Sequence, residues 1–159
     1  MEGILTWMES SALTRMILGN AWAFPTLETL HFIGLILLIG SLYVIDLRFM
    51  GFASRIPLNA VIRFLPVTFI GFTINLTTGI MFLFADPFRY YPNFAFRLKM
   101  LAVLLAGLNA VWFKLTINLE TLSSDNSTEP RITVRWIAGL SLLLWTSVIV
   151  LGRMIPYLE

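Results

Sequence analysis

Residues Thr26–Ile45 read TLETLHFIGLILLIGSLYVI, and between Glu28 and Asp46 no residue carries a fixed charge. About 20 mostly apolar residues at 1.5 Å rise cross the roughly 30 Å hydrocarbon core of a bilayer. Three further segments meet the same requirement. Val61–Ala85 is uncharged from Phe64 onward, and Phe94–Thr116 carries Lys99 near its start and Lys114 near its end. Ile132–Arg153 is uncharged from Trp136 through Gly152. Lipid offers the backbone no hydrogen bonds, so spans of this length must satisfy their own, as helices do. The expected fold is all-α: an integral membrane four-helix bundle over residues 25–159, with spans at about 26–45, 61–85, 94–116 and 132–153.

Composition agrees with that reading. Of 159 residues, 58% are hydrophobic and 13% charged, against roughly 45–50% and about 25% in a soluble domain. The mean hydropathy is +0.84. A formal charge of +2 leaves no basic patch for nucleic acid. With no cysteine, disulfides, thiolate zinc sites, iron–sulfur clusters and covalently attached haem are excluded. One histidine excludes a multi-histidine metal cage within a single chain.

The connections carry turn residues: Gly51 and Pro57, then Asp86-Pro87 and Tyr91-Pro92-Asn93, then Ser123–Ser127 ahead of Pro130. Residues 1–24 differ from the rest. Ile4, Leu5, Met8, Ala12 and Met16 fall on one helical stripe opposite Glu2, Thr6, Glu9 and Ser10, with Trp7 and Trp22 suited to the headgroup zone. This pattern predicts an amphipathic helix lying in the interface. Glu2 and Glu9 are unlike the basic start of a signal peptide. Asn126-Ser127-Thr128 is a glycosylation signal only in a secretory-pathway protein. The first and third connections carry Arg48, Arg55, Arg63, Lys114, Arg131 and Arg135, against Arg15, Arg89, Arg97, Lys99 and Arg153 on the other side. The positive-inside rule thus leans slightly toward termini outside the cytoplasm.

Ionisable residues inside a membrane are costly and mark candidate sites. His31 and Lys99 lie at similar depths in the first and third spans, which run the same way, so both occupy one leaflet. His31 shares a face with Gly34, Leu38 and Ser41, and Glu28 precedes it by one turn on an adjacent face. Lys99 heads a seam of small residues, Ala102, Ala106 and Ala110, of the kind along which helices approach closely. The second span returns to this leaflet with Asn75, Thr77, Thr78 and Met81. A neutral imidazole is the usual axial ligand of haem b, Gly34 would leave room for a flat macrocycle, and Lys99 or Arg97 would neutralise propionates. The expected cofactor-binding set is His31, Lys99, Gly34, Arg97 and Glu28, with His31 the metal ligand. The sixth position then falls to Met, Lys, water, nothing, or His31 of a second copy.

Plainer readings compete with this one. His31 can bond a neighbouring helix, and Lys99 can extend its ammonium to the headgroups. Asn75 and Asn109 suit interhelical hydrogen bonds, Met81 and Met100 suit packing, and Asp46 with Arg48 suits an interfacial charge cluster.

Leu30-His31-Phe32-Ile33-Gly34 through Gly40-Ser41-Leu42 to Asp46–Gly51 resembles the first helix of an uncharacterised bacterial family of small four-helix membrane proteins. Phe94–Leu101, continuing Gly107-Leu108-Asn109-Ala110, resembles that family's third helix. More distantly, His-x-x-Gly followed two spans later by a helix-start Lys is similar to two groups. One is the copper-resistance D family; the other is the haem-containing membrane protoporphyrinogen oxidases of bacteria, in which such a His and Lys are the essential pair. The resemblance implies an inner-membrane location, His31 as axial ligand and Lys99 as its functional partner. The chain departs from the oxidases in having no further histidine and a longer amphipathic N-terminus.

The leading expectation is a haem b protein of the membrane acting in electron transfer, with quinone or a redox partner protein, alone or as a subunit of a larger complex. Whether it is itself an enzyme stays open at this stage. The alternative is a cofactor-free structural or assembly subunit. Copper handling is a third reading, disfavoured because soft Cu(I) takes several Met or Cys ligands. A single histidine and a small-residue seam also suit a homo-oligomer or a heteromeric subunit.

Overall fold

The computed structural model describes residues 2–52, 54–116 and 132–158. Among them every regular element is helical. In chain order these are α1 (Glu2–Glu9), α2 (Ala12–Leu18), α3 (Ala23–Met50), α4 (Leu58–Ile62), α5 (Leu65–Ala85), α6 (Pro87–Tyr90), α7 (Phe94–Thr116), α8 (Ile132–Met154) and a closing 3-10 turn, Ile155–Tyr157. Four helical stretches, Ala23–Met50, Leu58–Ala85, Phe94–Thr116 and Ile132–Tyr157, are long and apolar enough to cross a membrane. The protein is an all-α, multi-pass membrane protein. The connection holding Ser123–Ser127, the Asn126-Ser127-Thr128 signal, Pro130 and Arg131 lies outside the described residues.

The first span runs five residues past Ile45, because Gly51 supplies its stop. Gly51 adopts φ 98°, a left-handed conformation that glycine enters without a Cβ clash. Its N–H donates to the Arg48 carbonyl, and the Phe52 N–H donates to that of Leu47. This is the two-bond closure of a Schellman cap, and it places Asp46 and Arg48 within the helix. The second span breaks at Arg63-Phe64, between α4 and α5. Pro66 in the first turn of α5 accounts for the break, since a proline ring collides with the carbonyl four residues back in a continuous helix.

Helix α3 packs on both α5 and α8, and α8 packs on α7, whereas α5 and α7 meet at most marginally. The α3–α5 pair is the closest. At Gly71 an added Cβ would lie 2.4 Å from the Leu38 nitrogen and 2.8 Å from the Gly34 carbonyl oxygen. Hydroxyls reinforce the helix pairs. Ser41 meets Thr68 at 2.7 Å across α3–α5, and Tyr43 meets Thr146 at 2.6 Å across α3–α8. One apolar core gathers Ile45, Phe49, Leu58, Val61, Val134 and Ala138, with the Phe113 ring edge-on to Phe49.

The N-terminal stretch is two helices and not one. Ser11 caps α2 by accepting from the Thr14 N–H at 3.2 Å, and capping there separates α2 from α1. The expected single stripe is therefore interrupted: Met8 is buried while Ile4 and Met16 are exposed. Thr14 pins this region to the bundle, its hydroxyl lying 2.7 Å from the Met8 carbonyl and 2.8 Å from that of Phe84. At the same end, the Asn93 amide donates to the Ile155 carbonyl at 2.9 Å while its oxygen accepts from the Phe96 N–H at 3.0 Å. One side chain thereby caps α7 and holds the end of α8.

Candidate functional site

His31 is half-buried on α3, one turn before Gly34 on the stripe that continues through Leu38 and Ser41, all three of them buried. Its Nδ1 lies 2.7 Å from the Thr78 hydroxyl on α5. That hydroxyl also lies 2.7 Å from the Ile74 carbonyl, which can only accept. A threonine has one hydroxyl proton. In the tautomer with Nδ1 protonated, the Thr78 hydroxyl accepts from His31 and donates to Ile74. The lone pair of the neutral imidazole is then on Nε2, which has no hydrogen-bond partner among the described residues. Metal-binding histidines are oriented in the same way, one ring N–H anchored and the other nitrogen free to ligate.

The Phe82 ring, centroid 5.4 Å away and inclined 68°, forms one wall beside the imidazole. Lys99 stands near the start of α7, at the same end of the bundle. The end of its side chain rests over Gly152 on α8, 3.9 Å from where a Cβ there would stand. Ala102 and Ala106 continue the Lys99 face into the buried α7–α8 contact. At Ala110 the expected seam ends, since that residue is exposed and Asn109 turns inward instead. All four spans thus contribute to one end of the bundle: His31, Thr78, Lys99 and Gly152.

Other expected members stand elsewhere. Glu28 and Arg97 are exposed, and no hydrogen bond or ion pair joins either to His31 among the described residues. The room foreseen at Gly34 is already filled: an added Cβ there would meet the Asn75 amide nitrogen at 2.6 Å and Ile74 at 2.7 Å. Gly34 therefore serves the α3–α5 crossing and leaves no slot for a macrocycle on that side. Asn75 donates within its own helix, to the Gly71 carbonyl at 3.2 Å, and Asn109 reaches between helices, to the Ile137 carbonyl at 3.1 Å. Met81 packs against Ile17, Leu27 and Ala85. A shallow groove of about 600 Å³ runs along α8 past Met50, Gly139, Thr146 and Val150, and borders neither His31 nor Lys99.

The opposite end holds the polar cluster that the sequence reading placed at the interface. Asp46 is 4% exposed and Arg48 2%, and among the described residues neither pairs with an opposite charge. Arg48 Nε donates to the Ile56 carbonyl at 2.5 Å, while its Nη1 has no partner. Ser141 on α8 faces the Asp46 carboxyl, whose Oδ2 has no hydrogen-bond partner. The Asn109 Oδ1 is likewise buried and without a partner. The signal that locates this cluster in sequence is Gly51: taken as the residue just past a helix end, it puts Asp46 and Arg48 inside the span.

No curated protein and no solved structure matches the chain. The sequence profile of one family, described as a family of unknown function (DUF6644), matches residues 4–158. The match covers nearly the whole chain, so this protein belongs to that uncharacterised family.

Proposed function

We propose that this is a b-type haem-binding protein of the bacterial inner membrane, serving electron transfer on its own or as a subunit of a redox complex. One observation carries the reading: an imidazole whose Nδ1 lies 2.7 Å from the Thr78 hydroxyl while Nε2 has no hydrogen-bond partner among the described residues, with the Lys99 side chain at the same end of the bundle. The donor chemistry suits the group, since a neutral imidazole with an anchored N–H is an axial ligand in its correct tautomer. The α5–α7 side, where the helices pack least, is the side by which a planar group reaches the site, Gly34 being closed off.

In this reading His31 ligates through Nε2, Thr78 sets the ring's tautomer and rotation, Phe82 restricts water, and Lys99 balances an anionic substituent. Haem bound there supplies one-electron exchange, with a membrane quinone or a partner protein as the other party. The slight Lys/Arg bias between the two sides orients the termini outside the cytoplasm. The less packed α5–α7 side suits contact with a second copy or another subunit.

The visible spectrum of the purified protein in detergent, before and after dithionite, tests this proposal. A reducible Soret and alpha band that is lost in His31→Ala is the expected result, with Lys99→Met shifting the midpoint potential. A folded, colourless preparation overturns it. In that event a second reading stands, favoured by the filled space at Gly34: a cofactor-free subunit in which the His31–Thr78 bond ties α3 to α5 and the Lys99 stem seats α7 on α8.

A further inference from the structure

The Asp46 end poses a problem of hydrogen-bond accounting. Buried polar atoms are nearly always partnered, yet two acceptors here are not: Asp46 Oδ2 and Asn109 Oδ1. They approach the same stretch of α8. Ser141 faces the Asp46 carboxyl, and Asn109 donates to the carbonyl of Ile137, one helical turn earlier on the same face. Asn109 has committed an amide hydrogen to Ile137, so its oxygen has only acceptor capacity left. Ser141 has a single hydroxyl proton to offer the Asp46 carboxyl that it faces. Arg48 Nη1, a buried donor without a partner at this same end, bonds neither oxygen, so both acceptors are left without a hydrogen.

Charge leads to the same conclusion. An ionised carboxylate buried to this extent needs a cation or several donors, and Asp46 has one donor. Among the described residues, the charged groups on the surrounding elements do not supply the cation. Arg48, two residues along α3, is turned to the Ile56 carbonyl. Arg135 on α8 lies against the α3 cap at Gly51. Arg63 beyond α4 and Lys114 on α7 are exposed.

We infer that Asp46 is a proton-binding site within the membrane, its carboxylic O–H filling the donor role that Oδ2 and Asn109 Oδ1 lack. The site is separate from the proposed haem site and does not rest on it. Asp46 stands four residues before the end of α3, about 6 Å along the axis, so exchange with the water on that side needs only a short path. The step is proton transfer alone: Oδ2 gains or returns one proton, no electron moves and no other bond changes. A metal cation is the poorer occupant. Hard cations take six or more oxygens, far more than Asp46 and Asn109 offer here, and the described residues contain no group of three or more His, Asp or Glu able to hold an ion.

Infrared spectroscopy of the protein in lipid vesicles at neutral pH, in light and heavy water, tests the inference. The expected result is a protonated-carboxyl C=O band equal to one group per chain, shifted in heavy water and absent in Asp46→Asn. Asn109→Leu and Ser141→Ala each displace that band without removing it, which keeps the test available if Asp46→Asn fails to fold. Absence of the band in the native protein, or its persistence in a folded Asp46→Asn variant, overturns the inference. Loss of the band on adding sodium chloride at constant pH overturns it also, in favour of a sodium site.

Discussion

The two ends of this bundle bury polar groups in different ways. At the His31 end the side chains are reciprocally satisfied: Thr78 with His31 and Ile74, Thr14 with Met8 and Phe84, and Asn93 with Phe96 and Ile155. Among the described residues, the capacity left over there is the imidazole Nε2 and the Lys99 ammonium. At the Asp46 end a carboxyl oxygen, an amide oxygen and a guanidinium nitrogen are buried without partners. Polar groups tie helices together at the first end, whereas at the second they leave a demand that helix packing alone does not meet. A membrane protein that tolerates this does so for chemistry more readily than for stability.

The contrast can be broken or sharpened by substitution. Gly71→Ala has the largest expected effect, about 3 kcal/mol, at the upper end of what overpacking costs. The atoms its Cβ would meet on α3 are backbone and cannot rotate away. It acts midway between the two ends and loosens both, and denaturant unfolding in micelles measures it. Asn93→Ala comes next, at about 2 kcal/mol, because it removes a helix cap and leaves carbonyls of the 3-10 turn unmatched. Hydrogen exchange over 155–158 should accelerate, and unchanged protection there would remove Asn93 as the tie.

Thr78→Val preserves shape and deletes one satisfied bond, for a loss of about 1 kcal/mol. It also releases the ring of His31, so any haem spectrum should broaden or weaken. Smallest is Arg48→Met at the unsatisfied end. Removing a buried, uncompensated charge is expected to be neutral within about 1 kcal/mol or stabilising. A loss of about 3 kcal/mol or more would mean that Arg48 has an anionic partner, and the contrast between the ends would fail.

The spans were legible because hydropathy and length leave little choice. Phe94 begins α7, and Met154 ends α8 one residue past the expected Arg153, where the apolar runs place them. The inward stripe Gly34–Leu38–Ser41 was legible for the same reason, since helical spacing alone puts it on one face. What sequence did not reveal depends on which neighbour fills a space. Gly34 offers room in the chain, but Ile74 and Asn75 from α5 take it. Asp46 follows an apolar run and reads as its boundary until Gly51, five residues on, is seen to cap the helix. Ser10-Ser11 divides the N-terminal helix because a capping hydroxyl competes with helix continuation, which a hydrophobic stripe does not register.

Asn93 has a practical consequence for assigning sidedness. By tying the last turn of the chain to the beginning of α7, it keeps the carboxyl terminus at the rim nearest His31. A fluorescent or enzymatic reporter joined there reads the compartment from which the imidazole is approached. The same fusion therefore reports, by difference, which aqueous phase supplies protons to Asp46.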